Sequence, residues 1–172
     1  MHQKSPITGD DLKLVYDHLP RPLSHDNLLF LTMLCVGFFG LLRLGELVQP
    51  DTSSLYSTLK ISWRHDVHLD STFFFFSIPQ FKTDMMFEGG CHSALFHKYL
   101  VLCDSHFALF PQLWLHSDGS VPSHSWFLSR LHSVFPRSIG GHSMCAGCTT
   151  SWQLLVSLHI KSRQLGNGDQ TL

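Results

Sequence analysis

Residues 36–50 read VGFFGLLRLGELVQP and contain the abrupt end of a long apolar run. The run covers residues 28–42, and Arg43 follows it, with Glu46 three residues further on. The pattern predicts a helix in the core that turns at Gly45 and holds one guanidinium at its edge. Because arginine keeps its charge in proteins, this side chain needs a carboxylate or an anionic ligand. Glu46, at the i,i+3 spacing of a helix, is the simpler partner, and a phosphate is the alternative.

The composition indicates one domain with a hydrophobic core. The chain has 172 residues, of which 44% are hydrophobic, and its sequence contains neither a repeat nor a linker, so we expect residues 1–172 to form a single domain. The formal net charge is −1 with neutral histidines, so no basic excess indicates a nucleic-acid partner. Five cysteines without a framework spacing, and an N-terminal stretch without an apolar signal segment, favour a nuclear or cytoplasmic protein.

Polar caps predict three helices in the first part of the chain. Thr8 and the two aspartates after it are typical of a helix start, and Pro20 ends that helix. Ser24 caps a second helix that contains the apolar run, and a third, short helix is expected from about Arg43 to just before Pro50. The run has 15 residues, fewer than the roughly 20 of a membrane-spanning helix, so we expect a buried core helix and no membrane partner. The predicted core face of the first helix consists of Leu12, Val15, Tyr16 and Leu19.

The periodicity changes in the middle of the chain. Apolar and polar residues alternate over residues 59–63 and 65–69, and residues 73–78 follow a short turn at residues 70–71. This spacing predicts an antiparallel hairpin or meander. Four consecutive phenylalanines begin the last segment, and they cannot all face one side of a strand. One face of the predicted sheet must therefore be covered or expose apolar surface.

The remaining segments return to a helical pattern. Helices are predicted over residues 94–102, over residues 123–135 with Ser123 as the cap, and over residues 142–158, with a turn at residues 117–120. The predicted fold class is mainly α with a small antiparallel β-sheet, that is, α+β.

Two His/Cys patterns are candidates for other chemistry. His142, Cys145 and Cys148 are spaced by two residues, and a C-x-x-C pair can hold half of a zinc site, but no second pair completes the ligand set. A Cys–His nucleophile pair is the second candidate, either Cys91 beside His92 or Cys145 near His142, and no oxyanion-hole motif accompanies either pair. Glycine loops that cradle nucleotide phosphates are absent from the sequence, so we expect no cofactor.

Three polar residues occur in a recognisable order along the predicted elements. Arg43 comes after three helices, Lys82 lies on the predicted hairpin, and His142 begins a late helix. The segments that carry a family resemblance are PIT at 6–8, GFFGLLRLGEL at 37–47, IPQFKTD at 78–84, LWLHSDGSVP at 113–122 and GHSMCAG at 141–147. In their order and spacing they resemble the catalytic domain of tyrosine recombinases of the phage-integrase type. The chain is most similar to the mobile-element copies of basidiomycete fungi, often labelled DNA breaking–rejoining enzymes. The resemblance covers nearly the whole chain and implies an integrase-like catalytic domain.

The resemblance also implies a chemistry. In this family a tyrosine attacks the scissile DNA phosphate and forms a covalent link to the 3′ phosphate, while arginines neutralise the growing negative charge. Arg43 resembles the first of these arginines, and Glu46 resembles the residue that orients its helix. Lys82 is similar to the hairpin lysine that protonates the leaving 5′ oxygen, and His142 to the histidine that assists proton transfer.

The chain departs from the family at the remaining catalytic positions. Cys145 stands where the family has its second arginine, and Gly168 stands where it has a histidine or tryptophan. The nucleophilic tyrosine would lie beyond Leu172, and the segment over residues 90–95 is shorter than in the family, which puts a third strand in doubt. The tyrosines present precede the histidine motif and lie in the wrong elements: Tyr16, Tyr56 and Tyr99. The resemblance therefore implies a catalytically inactive domain.

Three functional hypotheses follow. The first is a DNA-recombination and DNA-integration domain that has lost strand cleavage and binds DNA weakly through Arg43, Lys82 and Arg64, alone, as a homo-oligomer or with related recombinases. The second is a non-catalytic DNA-binding or protein-interaction remnant of a mobile element. The third is an unrelated metal-binding domain built on His142 and the two cysteines that follow it.

Overall fold

A computed structural model describes residues 6–58, 61–69, 73–77, 84–88, 90–141 and 143. The elements in chain order are α1 (Gly9–His18), α2 (His25–Phe39), α3 (Leu44–Leu47), β1 (His68–Leu69), β2 (Phe73–Ser77), β3 (Asp84–Glu88), α4 (Gly90–Phe107) and α5 (His124–His132). The described part of the chain is mainly helical with a small antiparallel sheet, so the α+β prediction is confirmed. No helix among the described residues is both long enough and apolar enough to cross a lipid bilayer.

The predicted helix starts are confirmed at the first two helices. The Thr8 hydroxyl accepts the backbone N–H of Asp11 at 3.3 Å, and the Asp11 carboxylate accepts the backbone N–H of Thr8 at 2.8 Å. The Ser24 hydroxyl caps α2 in the same manner. The prediction that Tyr16 belongs to the core face of α1 is wrong, because its side chain is 41% exposed and carries the Arg21 guanidinium 3.7 Å above its ring.

The centre of the core is α2, which packs against α1, α3 and α4. Every residue from 27 to 38 is buried, which fits a helix apolar on all sides and confirms the predicted core helix. The predicted turn at Gly45 is wrong. The chain reverses at Gly40 and Leu41, where Leu41 takes a positive φ of 56° and the Leu42 N–H donates to the Gly37 carbonyl at 2.9 Å. Gly45 lies inside α3.

The sheet has the strand order β1-β2-β3 with both pairs antiparallel. Its third strand, which the sequence put in doubt, is present as β3. The predicted alternation of the phenylalanines is confirmed, because Phe74 and Phe76 are buried. The ring of Phe74 stacks on the ring of Phe96 of α4, with the ring centroids 4.0 Å apart. The half-buried Phe75 lies on the other face of the strand and stacks on His68, with the ring centroids 4.5 Å apart.

The strand predicted over residues 59–63 is not found among residues 61–63. Trp63 makes an isolated bridge to Gln112, and Arg64–Asp66 forms a turn of 3₁₀-helix. The backbone N–H of Arg64 donates to the Pro111 carbonyl at 2.8 Å, and the Leu113 N–H donates to the Ser62 carbonyl at 2.8 Å. This segment is therefore held by the chain that follows α4 rather than by the sheet.

The later helices differ from the prediction mainly in length. Helix α4 extends well beyond the predicted residues 94–102 at both ends, whereas α5 ends at His132 instead of Phe135. The turn at residues 117–120 is confirmed, with Gly119 at a φ of 82° and the Asp118 carboxylate accepting the Ser120 N–H at 2.8 Å. The predicted helix over residues 142–158 lies outside the described residues except for Ser143.

Candidate functional site

Arg43 is the exposed N-cap residue of α3. Its backbone N–H donates to a carboxylate oxygen of Glu46 at 2.8 Å, and the Glu46 N–H donates to the Arg43 carbonyl at 2.9 Å. Glu46 thus binds the backbone at the start of the helix rather than the guanidinium, which makes no hydrogen bond or ion pair with another described residue. The prediction that Arg43 and Glu46 form a side-chain ion pair is therefore wrong.

The residue after Arg43 contacts a distant part of the chain. Leu44 is buried, and its Cβ lies only 2.6 Å from the position that a Cβ at Gly141 would occupy, so only glycine fits there without a shift. Gly140 and Ser143 are joined by two hydrogen bonds, from the Ser143 N–H to the Gly140 carbonyl at 2.8 Å and from the Gly140 N–H to the Ser143 hydroxyl at 3.1 Å. The Ser143 carbonyl also accepts the Ile7 N–H at 3.0 Å. Gly141 is therefore packed against α3, and Ser143 is hydrogen-bonded to the start of the chain.

Most of the other predicted site residues lie outside the described part of the chain: Lys82, His142, Cys145, Cys148 and Gly168. Their predicted roles, and the zinc hypothesis, stay predictions. The described neighbours of Lys82 are informative, because Ser77 pairs with Asp84 at the end of the β2–β3 ladder. Lys82 therefore belongs to the six-residue connection, 78–83, between two paired antiparallel strands.

Arg64 does not have the role that the sequence analysis gave it. Its side chain is only 15% exposed, and one of its terminal nitrogens lies 3.2 Å from the Asp104 carboxylate and 3.0 Å from the Phe107 carbonyl. The other terminal nitrogen donates to the Gln112 carbonyl at 3.3 Å. The charge is thus used inside the protein to hold the end of α4, and the prediction that Arg64 contacts DNA is wrong.

Tyr99 and Cys103, two buried side chains of the described core, are unsuited to nucleophilic chemistry. The Tyr99 hydroxyl accepts the Leu115 N–H at 2.8 Å and donates to the Leu113 carbonyl at 3.0 Å. Burial raises the pKa of Tyr99 well above its usual value, and burial likewise raises the pKa of the Cys103 thiol. Both groups stay protonated at neutral pH, so neither supplies an anionic nucleophile.

A second polar cluster, which the sequence analysis missed, joins α2 to the turn before α5. The His116 ring lies 3.6 Å from the Asp26 carboxylate and packs on the edge of Trp126, with the ring centroids 4.4 Å apart. Asp26 also accepts the Ser117 N–H at 2.8 Å. Burial lowers the pKa of His116 despite the neighbouring carboxylate, so the ring is neutral at pH 7. The 90-residue separation of this pair leaves no local sequence signal that could have revealed it.

No group of three or more His, Cys, Asp or Glu side chains within the described ranges could hold a metal ion. No protein-family model and no curated protein matches this sequence.

Proposed function

We propose that this chain is a tyrosine-recombinase-type domain that contacts a DNA phosphate through Arg43 and does not cleave the strand. One observation carries the proposal: an exposed guanidinium without a protein partner among the described residues stands at the start of a capped helix. A guanidinium keeps its charge in proteins and presents five N–H donors, so this side chain can bind an anionic ligand in place of solvent.

The chemistry of Arg43 suits this ligand. A guanidinium presents a planar fork of N–H donors that can bind two oxygens of one phosphate at the same time. The Glu46 carboxylate fixes the backbone from which the side chain projects and leaves the fork unused. This contact supports the positioning role that the resemblance implies for Glu46.

The contact between Leu44 and Gly141 supports the approach of a second predicted site residue. Arg43 directly precedes Leu44, and His142 directly follows Gly141, so each is one residue from the same contact. The proposed site combines Arg43 and His142 at one phosphate. Lys82 lies in the sequence between β2 and β3, and the proposal gives it the role that the resemblance implies for the hairpin lysine.

The same residues argue against strand cleavage. A cysteine at position 145 supplies no second charged fork, and loss of one such group typically costs a factor of order 10²–10³ in rate. Tyr99 is buried with a raised pKa and cannot attack a phosphate. A formal net charge of −1 provides little electrostatic attraction to DNA, so we expect weak DNA binding that is sensitive to salt. The proposal includes binding by the chain alone and binding in an assembly with intact relatives. It places the protein in the nucleus or the cytoplasm.

Fluorescence anisotropy with a labelled DNA duplex at a series of salt concentrations tests the proposal. We expect binding to weaken as salt rises, and the slope of log affinity against log salt to shrink by about one unit in Arg43→Ala and again in Lys82→Ala. Arg137→Ala, which removes an exposed arginine elsewhere, is the matched control and should leave the slope unchanged. Equal losses in Arg43→Ala and Arg137→Ala would mean that no specific phosphate site exists.

A nicked suicide substrate tests the loss of cleavage separately. Such a substrate traps the covalent intermediate of an active enzyme, because the released strand cannot return. We expect no covalent protein–DNA adduct on a denaturing gel. An adduct formed by the wild-type chain would overturn the claim of inactivity while leaving the phosphate site intact.

A further inference from the structure

An apolar groove lies between α1, α2 and α4 and shares no residue with the region around Arg43. Its volume is about 580 Å³, within the range of about 300–1,000 Å³ that small-molecule sites occupy. Leu12, Leu31 and Cys35 form its buried floor, and the aromatic rings of Tyr16 and Phe39, each about two-fifths exposed, stand at its edge. A groove of this kind favours a ligand with a flexible apolar part.

The charges at this groove have one sign. Lys13 of α1 and Lys98 of α4 are both exposed, and they are the charged side chains among its described lining residues. Neither forms a hydrogen bond or an ion pair with any residue in the described ranges. Asp10, Asp11 and Asp17, the acids nearest to Lys13 in the sequence, do not line the groove. Two unpaired ammonium groups from different helices thus lie beside one apolar floor.

We propose that this groove binds a long-chain aliphatic carboxylate, with the chain on the leucine floor and the carboxylate between Lys13 and Lys98. The apolar tail gains free energy by leaving water, and the headgroup stays at the rim, where the ammonium groups attract it and water still solvates it. A small polar anion lacks the tail and gains little here. An uncharged chain of equal length gains the burial but not the attraction to the lysines.

Isothermal titration calorimetry with octanoate, decanoate and dodecanoate, each below its critical micelle concentration, tests how the affinity depends on the length of the aliphatic tail. We expect affinity to rise about fourfold for each added methylene group. The double variant Lys13→Gln/Lys98→Gln should bind decanoate on the order of tenfold more weakly, while its affinity for decanol stays that of the wild type. Arg137→Gln removes an exposed charge outside the groove and should change neither ligand's affinity.

A variant that fills the groove tests its location. A Cβ at Gly9, which lines the groove, would meet no atom within 4 Å, so Gly9→Leu should fold normally and weaken decanoate and decanol together, by tenfold or more. Far-ultraviolet circular dichroism checks that the variant is folded. Full affinity in Gly9→Leu, an equal loss of both ligands in the lysine double variant, or no binding of dodecanoate by the wild type would overturn the proposal.

Discussion

Arg43 and Arg64 have the same side chain and opposite surroundings. Arg64 is mostly buried, and its guanidinium binds the Asp104 carboxylate and the Phe107 carbonyl of α4 and the Gln112 carbonyl in the chain after it. Arg43 is exposed, and its helix is capped by Glu46 through the backbone while its guanidinium binds no described residue. One arginine is therefore part of the fold, and the other is available to a ligand.

The comparison shows how a chain with few charges distributes them. Only 15% of the residues are charged, so each buried cation removes a substantial part of the charge that could contact DNA. The two arginines differ in their hydrogen-bond acceptors. The guanidinium of Arg64 donates to the carbonyls of Phe107 and Gln112, whereas no described carbonyl accepts from the guanidinium of Arg43. Substitutions in the two regions should consequently affect different properties.

The largest effect is expected from Arg64→Ala. The change removes the Arg64 donor from the Gln112 carbonyl and from the Phe107 carbonyl, which keeps the Phe110 N–H, and it breaks the link to Asp104. The free energy of unfolding should therefore fall by about 2–4 kcal/mol. Urea unfolding followed by tryptophan fluorescence measures it. Arg137→Ala, at an exposed position, should stay within about 0.5 kcal/mol of the wild type. A similar small change in Arg64→Ala would break the distinction between the two arginines.

Tyr99→Phe tests the same region without a change of charge. It deletes the hydroxyl that joins the Leu113 carbonyl and the Leu115 N–H, and it leaves a buried donor unpaired. We expect a loss of about 1–3 kcal/mol in unfolding free energy. The matched variant is Tyr56→Phe, at a side chain that is 52% exposed, and it should be neutral. Equal stability of the two variants would show that this hydrogen-bond network contributes little.

Glu46→Ala tests the cap beneath Arg43 and should have a smaller effect. The carboxylate accepts one backbone N–H at the start of a four-residue helix, so its loss should cost about 0.5–1 kcal/mol. Glu46→Gln keeps an acceptor oxygen in the same place and should recover most of that free energy. If Glu46→Gln is as unstable as Glu46→Ala, the negative charge matters more than the hydrogen bond.

The smallest effect on stability is expected from Arg43→Ala. Its guanidinium binds no other described residue, so the free energy of unfolding should change by less than about 0.5 kcal/mol. DNA binding should nevertheless weaken, as the salt titration measures. Together with Arg64→Ala, this variant separates a ligand-binding arginine from a structural one. A large loss of stability in Arg43→Ala would place it with Arg64.

Several parts of the fold could be predicted because their causes are local. Thr8 and Ser24 cap helices through bonds to residues three positions away, and the alternation of Phe74, Phe75 and Phe76 follows from the pleat of a strand. The prediction failed where contacts with residues far along the chain determine the local structure. Residues 61–66 alternate like a strand but bind the chain after α4, and the helix expected to turn at Gly45 ends at Gly40.

The buried helix and the arginine that follows it can be read from the order of the residues, because apolar side chains are driven out of water and a charged guanidinium is not buried without a partner. Which arginine is paired inside the protein depends on how the folded chain packs. Arg64 meets its partners 40 to 48 residues further along the chain, and hydrogen bonds over such separations depend on packing that no local pattern contains. For the same reason, the contact of Leu44 with Gly141 could be found only in three dimensions.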